Sequence, residues 1–305
     1  MSVKTGVIGV GAIGRNHARI YAELENSNFV GVYDANLEKA AAIAEEFGTG
    51  AFSSLDELIA EVDAASVSTP TITHRDIATQ LLNSGKHVLV EKPISDSVDD
   101  AKVIIDLAHE KGLVLQVGHI ERFNPVMSQL ENCLDHPKFI ECHRLSPFPQ
   151  RSLDIGVVLD LMIHDLEIVL HLVNAPVASL DAVGIPVLTR REDIANARIR
   201  FEDGCVANIT ASRISPERMR KIRVFQSNAY LSLDYQDQSG WIYRKDGLEI
   251  GREEVQVEKD EPLKCELMSF VECAAKGEAP KVSGQQGAAA LDVALKITRL
   301  IEADA

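Results

Sequence analysis

The sequence contains no run of apolar residues near the roughly 18 that a membrane-spanning helix needs. Its five cysteines, at positions 133, 142, 205, 265 and 273, form no C-x-x-C pair and no zinc-binding spacing. Basic residues are scarce, since 31 lysines and arginines face 46 acidic residues and leave a net charge of −15. These deficits argue against a membrane protein, a disulfide-stabilised secreted protein and a nucleic-acid-binding protein.

What the sequence does contain is typical of a globular protein. The hydrophobic fraction is 46% and the charged fraction is 25%, and 305 residues favour two domains over one. The first apolar run begins almost at once, so we expect no signal peptide, and the cysteine pattern indicates reduced thiols in the cytoplasm. No cluster of metal-ligating residues is visible, and we expect no metal. The expected partner is a small molecule, with neither nucleic acid nor membrane.

A glycine-rich turn follows the first apolar run of the chain, and a helix-forming stretch over 15–24 follows the turn. In the spacing G-x-G-x-x-G, the first glycine permits the tight turn, the second lets the backbone approach a pyrophosphate, and the third lets the helix pack on the strand. The free N–H groups of the helix then face the phosphates. This predicts a dinucleotide-binding turn made of Gly9, Gly11, Ala12, Ile13 and Gly14.

An acidic residue stands where such a turn requires one. The apolar run 29–33 ends at Asp34, which lies 20 residues after Gly14 and is placed to hydrogen-bond the adenosine ribose. A carboxylate would repel a 2′-phosphate, Ala35 and Asn36 follow it, and the nearest base is Lys39. The sequence therefore favours NAD over NADP as the cofactor.

The order of the elements predicts the fold class. Residues 1–120 alternate strand-like and helix-like segments, which is typical of a doubly wound Rossmann domain with a parallel sheet. Residues 121–305 are organised differently, with one long helix over 156–173, several strand-like runs that include 183–188, a hairpin turn at 202–204, and two final helices over 263–276 and 284–303. We predict that this second, α+β domain is built on one antiparallel or mixed sheet.

Two polar stretches follow strands of the predicted parallel sheet, at the edge where ligands of such sheets bind. Ser68 and Thr69 end the strand over 64–69, and Pro70 and His74 follow it as further candidate cofactor residues. The hydroxyls of Ser68 and Thr69 are either cofactor contacts or helix caps. Glu91 and Lys92 end the next strand. Near a cofactor Lys92 could be desolvated enough to lose its proton at neutral pH, although composition alone favours a surface lysine.

The long helix carries an acid and a histidine on one face. Asp160 and His164 are four residues apart in an otherwise apolar stretch, so they lie within reach of each other. Polar side chains in an apolar helix need partners. The pair is either a satisfied core pair or a site in which His164 accepts a proton and Asp160 supports it.

Taken together, Gly9-x-Gly11-x-x-Gly14, Glu91-Lys92-Pro93 and Gly156-x-x-x-Asp160-x-x-x-His164 resemble the glucose–fructose oxidoreductase/inositol dehydrogenase family over essentially the whole chain. The resemblance implies a Rossmann domain and a second domain, over 121–305, that binds the substrate. The large open, mainly antiparallel sheet of this second domain is expected to mediate homodimers or homotetramers. The resemblance also implies NAD(P)-dependent oxidation or reduction of a sugar-like hydroxyl. It places Lys92 beside the nicotinamide and the reacting hydroxyl, often before a cis Pro93. It makes Lys92, His164 and Asp160 the catalytic residues, with Lys92 or His164 as the proton acceptor.

The stretches 117–125 and 154–165 are similar to those of bacterial nucleotide-sugar dehydrogenases in that family. This similarity implies hydride transfer from the 3-hydroxyl carbon of a UDP-N-acetylhexosamine, with Arg122, Asn124 and Arg151 binding sugar hydroxyls or diphosphate. Arg122 could instead only support the domain interface. Two other functions stay open, a dehydrogenase of a free polyol or dihydrodiol and a noncatalytic sensor of dinucleotide and sugar. The presence of Lys92, Asp160 and His164 together argues against the sensor.

Overall fold

The computed structural model describes residues 2–148, 155–246 and 249–303. Within these, the chain divides into two compact units, 1–123 with 261–288 and 124–260 with 289–305. The first break lies three residues from the predicted boundary at 120. The return of 261–288 to the first unit was not predicted, because no local pattern records which sheet a late helix packs against.

The strands and helices have the following bounds. The strands are β1 (Val3–Ile8), β2 (Ser27–Tyr33), β3 (Gly50–Ala51), β4 (Ala64–Val67), β5 (His87–Glu91), β6 (Leu115–Gly118), β7 (Phe139–Leu145), β8 (Val177–Ile185), β9 (Ile194–Phe201), β10 (Val206–Ser212), β11 (Met219–Phe225), β12 (Ala229–Asp234), β13 (Ser239–Asp246) and β14 (Glu249–Glu254). The helices are α1 (Ala12–Glu23), α2 (Leu37–Phe47), α3 (Leu55–Glu61), α4 (His74–Asn83), α5 (Val98–Lys111), α6 (Pro125–Cys133), α7 (Ile163–Val173), α8 (Pro262–Lys276) and α9 (Gly284–Ala303).

The first unit is built on a six-stranded sheet with the order β3-β2-β1-β4-β5-β6, and every neighbouring pair is parallel. This is the predicted doubly wound Rossmann sheet, with strand order reversing between β1 and β4. The helix ends follow local chemistry: Ser54 and Ser97 accept main-chain hydrogen bonds at the starts of α3 and α5, and Gly48 and Gly112 end α2 and α5 in the left-handed conformation.

Helix α8 completes the core of the first unit. Its apolar face joins the buried residues of β1, α1 and α2 in one cluster, to which α8 contributes Leu263, Leu267, Phe270 and Val271. Burying four such side chains stabilises the unit by several kcal/mol at about 2 kcal/mol each. The Rossmann unit therefore depends on a segment more than 130 residues away from its other part.

The second unit contains an eight-stranded sheet with the order β14-β13-β12-β11-β7-β10-β9-β8. All neighbouring pairs are antiparallel except β7 and β10, which run parallel. The mainly antiparallel sheet confirms the predicted fold class. One face, through Ile140, Cys142, Ile222 and Val224, belongs to a buried cluster with residues of α6, α7 and α9.

Two predictions about the second unit were wrong in detail. The predicted continuous helix over 156–173 is a π turn (Val158–Met162) followed by α7, because the N–H of Ile163 donates to the carbonyl of Val158 five residues earlier. The strand predicted over 183–188 is β8, which begins at Val177 and ends at Ile185. Apolar composition alone distinguishes neither a π turn from an α-helix nor the two ends of an edge strand.

None of the helices in the described ranges combines the length and apolar character that crossing a membrane requires.

Candidate active site

Five strands of the first unit end at one edge of its sheet. Because the strands are parallel, their carboxyl ends bring together the glycine turn after β1, Asp34 after β2, Ser68 after β4, Lys92 after β5 and His119 after β6. The turn after β1 lies where the strand order reverses, and ligands of open α/β sheets bind at this point. The predicted cofactor residues of the first unit thus surround one crevice edge.

The glycine turn has the geometry that its spacing predicts. Gly9 has a φ of 85°, which favours glycine, and a Cβ there would lie 2.8 Å from the carbonyl oxygen of Ser68. A Cβ on Gly14 would lie 1.9 Å from the carbonyl oxygen of Gly9. Gly11 has a φ of −64°, and a Cβ there would meet nothing within 4 Å. Two of the glycines therefore permit close packing, and Gly11 keeps the front of the turn open.

The start of α1 fits a dinucleotide pyrophosphate. Ala12 and Ile13 are exposed, the first helical hydrogen bond runs from Arg15 N–H to the Gly11 carbonyl, and among the described residues no side chain caps this end. The helix also has no acidic residue in its first turn. Main-chain N–H groups and the positive end of the helix dipole are thus available to an anion beside the open side of Gly11.

Asp34 is fixed at the neighbouring strand end. Its Oδ2 accepts a hydrogen bond of 2.8 Å from the N–H of Val10, and its Oδ1 accepts one of 2.8 Å from the N–H of Asn36. These bonds hold the half-buried carboxylate against the glycine turn and leave lone pairs for ribose hydroxyls. The placement suits a cofactor whose ribose carries no 2′-phosphate.

We expect Asp34→Ala combined with Ala35→Arg to change the cofactor preference. The double variant loses a charge-assisted acceptor for the ribose and gains a cation for a 2′-phosphate, so the ratio of kcat/KM for NADP to that for NAD should rise by about 10-fold or more. Steady-state kinetics with both cofactors measures the ratio. Lys39→Ala, which removes the nearest base in the sequence, is the control and should leave it unchanged. An unchanged ratio in the double variant would contradict the ribose assignment.

The residues after β4 mainly hold the turn. Ser68 Oγ donates to the Gly9 carbonyl at 2.8 Å, and Thr69 Oγ1 accepts from Thr73 Oγ1 at 2.7 Å. Each ring nitrogen of His74 lies 2.9 Å from a main-chain carbonyl, that of Pro93 for Nδ1 and that of Thr69 for Nε2. Burial lowers the pKa of His74, although these hydrogen bonds oppose the shift. Pro70 is exposed at this edge. Cofactor contact by these four residues stays a prediction.

The lysine turn, Glu91-Lys92-Pro93, is anchored through Glu91. Its Oε1 lies 3.1 Å from Nε2 of the buried His17 on α1, and its Oε2 accepts from the N–H of Lys92 at 3.2 Å. A Cβ on Gly118 of β6 would lie 2.8 Å from this carboxyl group, so a side chain there would displace the Glu91 carboxylate from its present position. Lys92 is half-buried, and its bond to Pro93 is cis, as the family resemblance implies.

Two further ionisable groups lie near the lysine turn. Burial, together with the charges of Lys92 and Arg122, lowers the pKa of His119 to about 3, so its imidazole is neutral at physiological pH. Burial, with the charge of Glu91 as the second cause, raises the pKa of Glu266 on α8 well above its usual value. The neutral imidazole of His119 therefore adds no charge beside Lys92.

The second unit carries the other predicted catalytic residues on the π turn and the start of α7. Asp160 and His164 are both half-buried, whereas Asp165 is buried. The π turn widens the helix by about one residue. Such single-turn insertions occur frequently at functional sites. The apolar neighbours Val158, Met162 and Ile163 are fully buried, so the helix is anchored by its other faces.

The predicted substrate residues have different placements. Arg122 is 2% exposed in the short turn Ile120–Phe123 of the first unit. In the second unit, Asn124 uses Oδ1 to cap α6 and Nδ2 to donate to the Tyr235 carbonyl at 2.9 Å. Arg151 lies outside the described residues. Substrate contact by these three residues stays a prediction.

Sequence analysis missed His17, Gly118, His119 and Glu266. A usable signal existed for two of them: His17 follows the glycine motif by three residues, and His119 directly follows a strand of the sheet. Gly118 is required only because Glu91 faces it across the β5–β6 pair, and Glu266 lies 175 positions from Glu91. Such pairings depend on the tertiary fold.

Comparison with known proteins gives two family matches. Residues 3–119 match the oxidoreductase family with the NAD-binding Rossmann fold, and residues 131–232 match the GFO/IDH/MocA C-terminal domain. The chain is 39% identical to UDP-N-acetylglucosamine 3-dehydrogenase from Acidithiobacillus ferrooxidans, over 99% of this chain and 98% of that protein. A solved structure of that enzyme superposes with a TM-score of 0.95 and covers 99% of both chains. The chain is also 26% identical, over 97% of its length and 93% of the relative's, to scyllo-inositol 2-dehydrogenase (NAD(+)) from Bacillus subtilis.

Proposed function

This chain belongs to the GFO/IDH/MocA oxidoreductase family, and from that premise we propose that it oxidises the 3-hydroxyl of a UDP-N-acetylhexosamine with NAD as the hydride acceptor. The comparisons confirm the predicted family, the Rossmann fold and NAD as the cofactor. The observation that carries the substrate assignment is 39% identity, over almost the full length of both chains, to an enzyme named for that substrate.

The residues of the first unit divide the work of holding the cofactor. The glycine turn and the start of α1 receive the pyrophosphate, and Asp34 receives the ribose. The bound nicotinamide supplies the chemistry of hydride acceptance. Lys92 is one candidate for the group that takes the hydroxyl proton. Its main-chain N–H donates to the Glu91 carboxylate, which holds the lysine turn in place. His164 of the second unit is the other candidate, and Asp160 orients it or supplies charge.

A polyol dehydrogenase is the second candidate function, because an inositol dehydrogenase matches nearly the full length of the chain. NADH formation measured with NAD and a panel of UDP-sugars, free inositols and dihydrodiols separates the functions. We expect turnover with UDP-N-acetylglucosamine and none with free inositol. Turnover of inositol alone would favour the polyol enzyme, and silence across the panel combined with a thermal shift on NAD binding would favour the sensor.

Arg122 provides a test of the diphosphate. Arg122→Met keeps most of the buried volume but removes the cation, so KM for the UDP-sugar should rise by about 10-fold or more while KM for NAD changes little. Arg299→Met, a change to an arginine of α9 in the second unit, is the matched control. An unchanged KM for the UDP-sugar would leave Arg122 as a structural residue.

We also infer a homodimer or homotetramer that uses the open face of the eight-stranded sheet. Its support is a line of aromatic rings across four strands on the face opposite the buried cluster, with centroids 5.6 Å apart for Phe139 and Phe225, 4.5 Å for Phe225 and Tyr230, and 5.1 Å for Tyr230 and Tyr243. Light scattering should give a mass of two or four chains, and Tyr230→Asp should reduce it.

The proposed location is the cytoplasm, where nucleotide sugars and NAD occur. The five cysteines are all free thiols, which fits that location.

A further inference from the structure

Strand β7 breaks its own pattern at Arg144. Alternate residues of this strand face the buried cluster, and the first two of them, Ile140 and Cys142, are apolar and fully buried. The third is Arg144, which is 3% exposed. A charged residue at an inward position of a central strand costs desolvation, and an apolar residue there would be at least as stabilising. Stability alone therefore does not explain why an arginine occupies this position.

Arg144 forms a bidentate ion pair with Asp165, the residue next to His164. The Arg144 Nε donates to Asp165 Oδ2 at 2.7 Å, and its Nη2 donates to Asp165 Oδ1 at 2.9 Å. Two parallel bonds between a planar guanidinium and a carboxylate fix direction as well as distance. Both side chains are at least 96% buried, so solvent screens the pair little.

The Arg144–Asp165 pair lies at the start of α7, directly after an irregular turn of the helix. The π turn Val158–Met162 has the widened hydrogen-bond pattern, and α7 begins directly after it. At the other end of the π turn, Glu192 accepts from the N–H of Val157 through its carbonyl and from the N–H of Val158 through Oε1. The segment that carries Asp160 and His164 is thus held before the π turn by Glu192 and after it by Arg144.

We propose that Arg144 is a positioning residue of the reaction, which acts through Asp165 to set the direction of His164 and Asp160. The inference rests on the proposed function for its kinetic consequence only. The bidentate pair fixes the rotation of the first turn of α7 about the helix axis. Rotating that turn would move the imidazole of His164 by an amount that matters for proton transfer, because misplacement by about 1 Å costs about 100-fold in rate.

The test is the double variant Arg144→Met with Asp165→Leu, which removes both charges of the buried pair together. We expect a melting temperature near that of the unaltered protein, kcat lower by about 10- to 100-fold, and KM for NAD within about a factor of two. The single variant Arg144→Met should melt lower than the double variant, since it leaves Asp165 unpaired. Wild-type kcat in the double variant would overturn the proposal.

A second readout does not need turnover. The His164 ring resonance in a spectrum of the protein with isotope-labelled histidine, assigned through His164→Gln, should shift or broaden in the double variant. The control is His171→Gln, two turns further along α7, which removes the 3.1 Å contact with Glu131 and should leave both kcat and the His164 resonance unchanged. An unshifted His164 resonance in the double variant would overturn the positioning role.

If the double variant fails to fold, Arg144→Lys takes its place. Lysine keeps the charge but not the parallel fork, so kcat should fall by about 10-fold with a small loss of thermal stability. Unchanged kcat in this variant would overturn the proposal. If the unaltered protein turns over no nucleotide sugar, the proposed function is wrong. The His164 resonance would then still test the positioning role of Arg144, because that measurement does not need turnover.

Discussion

Lys92→Met is expected to lower kcat by about 100- to 10,000-fold, because it removes an amine that is a candidate to accept the hydroxyl proton. The substitution keeps the length and apolar stem of the side chain. It also keeps the main-chain N–H that donates to Glu91, so the lysine turn should retain its anchor. The effect should therefore appear in kcat, with NAD affinity measured by calorimetry changing by no more than a few-fold.

The matched control for Lys92→Met is Lys86→Met. Lys86 precedes β5 and Lys92 follows it, so the two lysines mark the amino and carboxyl ends of one strand. The Nζ of Lys86 donates to the Val62 carbonyl at 2.7 Å, and its loss should reduce thermal stability without lowering kcat. The pH–rate profiles of Lys92→Met and His164→Gln together identify the base. Protonation of the base lowers the rate at low pH, so this decline should disappear in the variant that lacks the proton acceptor. Near wild-type kcat in Lys92→Met would contradict a catalytic role for the lysine.

Gly11→Ala and Gly14→Ala are expected to fail in different ways. At Gly11 the backbone conformation suits alanine and the added methyl group meets no protein atom, so the melting temperature should stay close to that of the unaltered protein. The methyl group would stand on the open side of the turn, keep the pyrophosphate from the N–H groups of α1, and weaken NAD binding by about 10- to 100-fold through lost charge-assisted hydrogen bonds.

At Gly14 the added methyl group would collide with the main chain of Gly9. Neither backbone can move without disturbing α1 or β1, so we expect a loss of about 1–3 kcal/mol or more and a melting temperature lower by several degrees. Calorimetry of NAD binding and thermal unfolding, applied to both variants, give the comparison. NAD affinity near that of the unaltered protein in Gly11→Ala would contradict the pyrophosphate assignment, and unchanged stability in Gly14→Ala would contradict the described turn.

Much of the first unit could be predicted from local sequence. The spacing of Gly9, Gly11 and Gly14 is set by sterics within one turn, and Asp34 follows from the fixed length of the helix between two strands. Ser54 and Ser97 cap the starts of α3 and α5 by accepting from N–H groups only three residues further along the chain. These interactions are short in sequence, so the pattern records them.

The second unit was harder to predict for a related reason. Its long helix was identified from continuous apolar character, but the π turn inside it forms because a main-chain N–H donates to the fifth residue back instead of the fourth. Strand order in the eight-stranded sheet, including the parallel β7–β10 pair, depends on pairings between residues up to 86 positions apart. Periodicity describes which face of an element is buried and leaves its neighbours open.

By itself, the sequence determined the dinucleotide turn, the preference for an unphosphorylated ribose, and the candidate residues Lys92, Asp160 and His164, because each depends on residue types at short, fixed spacings. Only the tertiary structure decided how those residues are held. Glu91 contacts His17 and accepts from the N–H of Lys92, and Arg144 holds Asp165, the neighbour of His164, with two hydrogen bonds. Helix α8, from the end of the chain, completes the Rossmann core. The contact of Arg144 with Asp165 joins residues 21 positions apart, and that of His17 with Glu91 joins residues 74 positions apart. Helix α8 follows the rest of the Rossmann unit by more than 130 residues, so local sequence patterns do not predict these contacts.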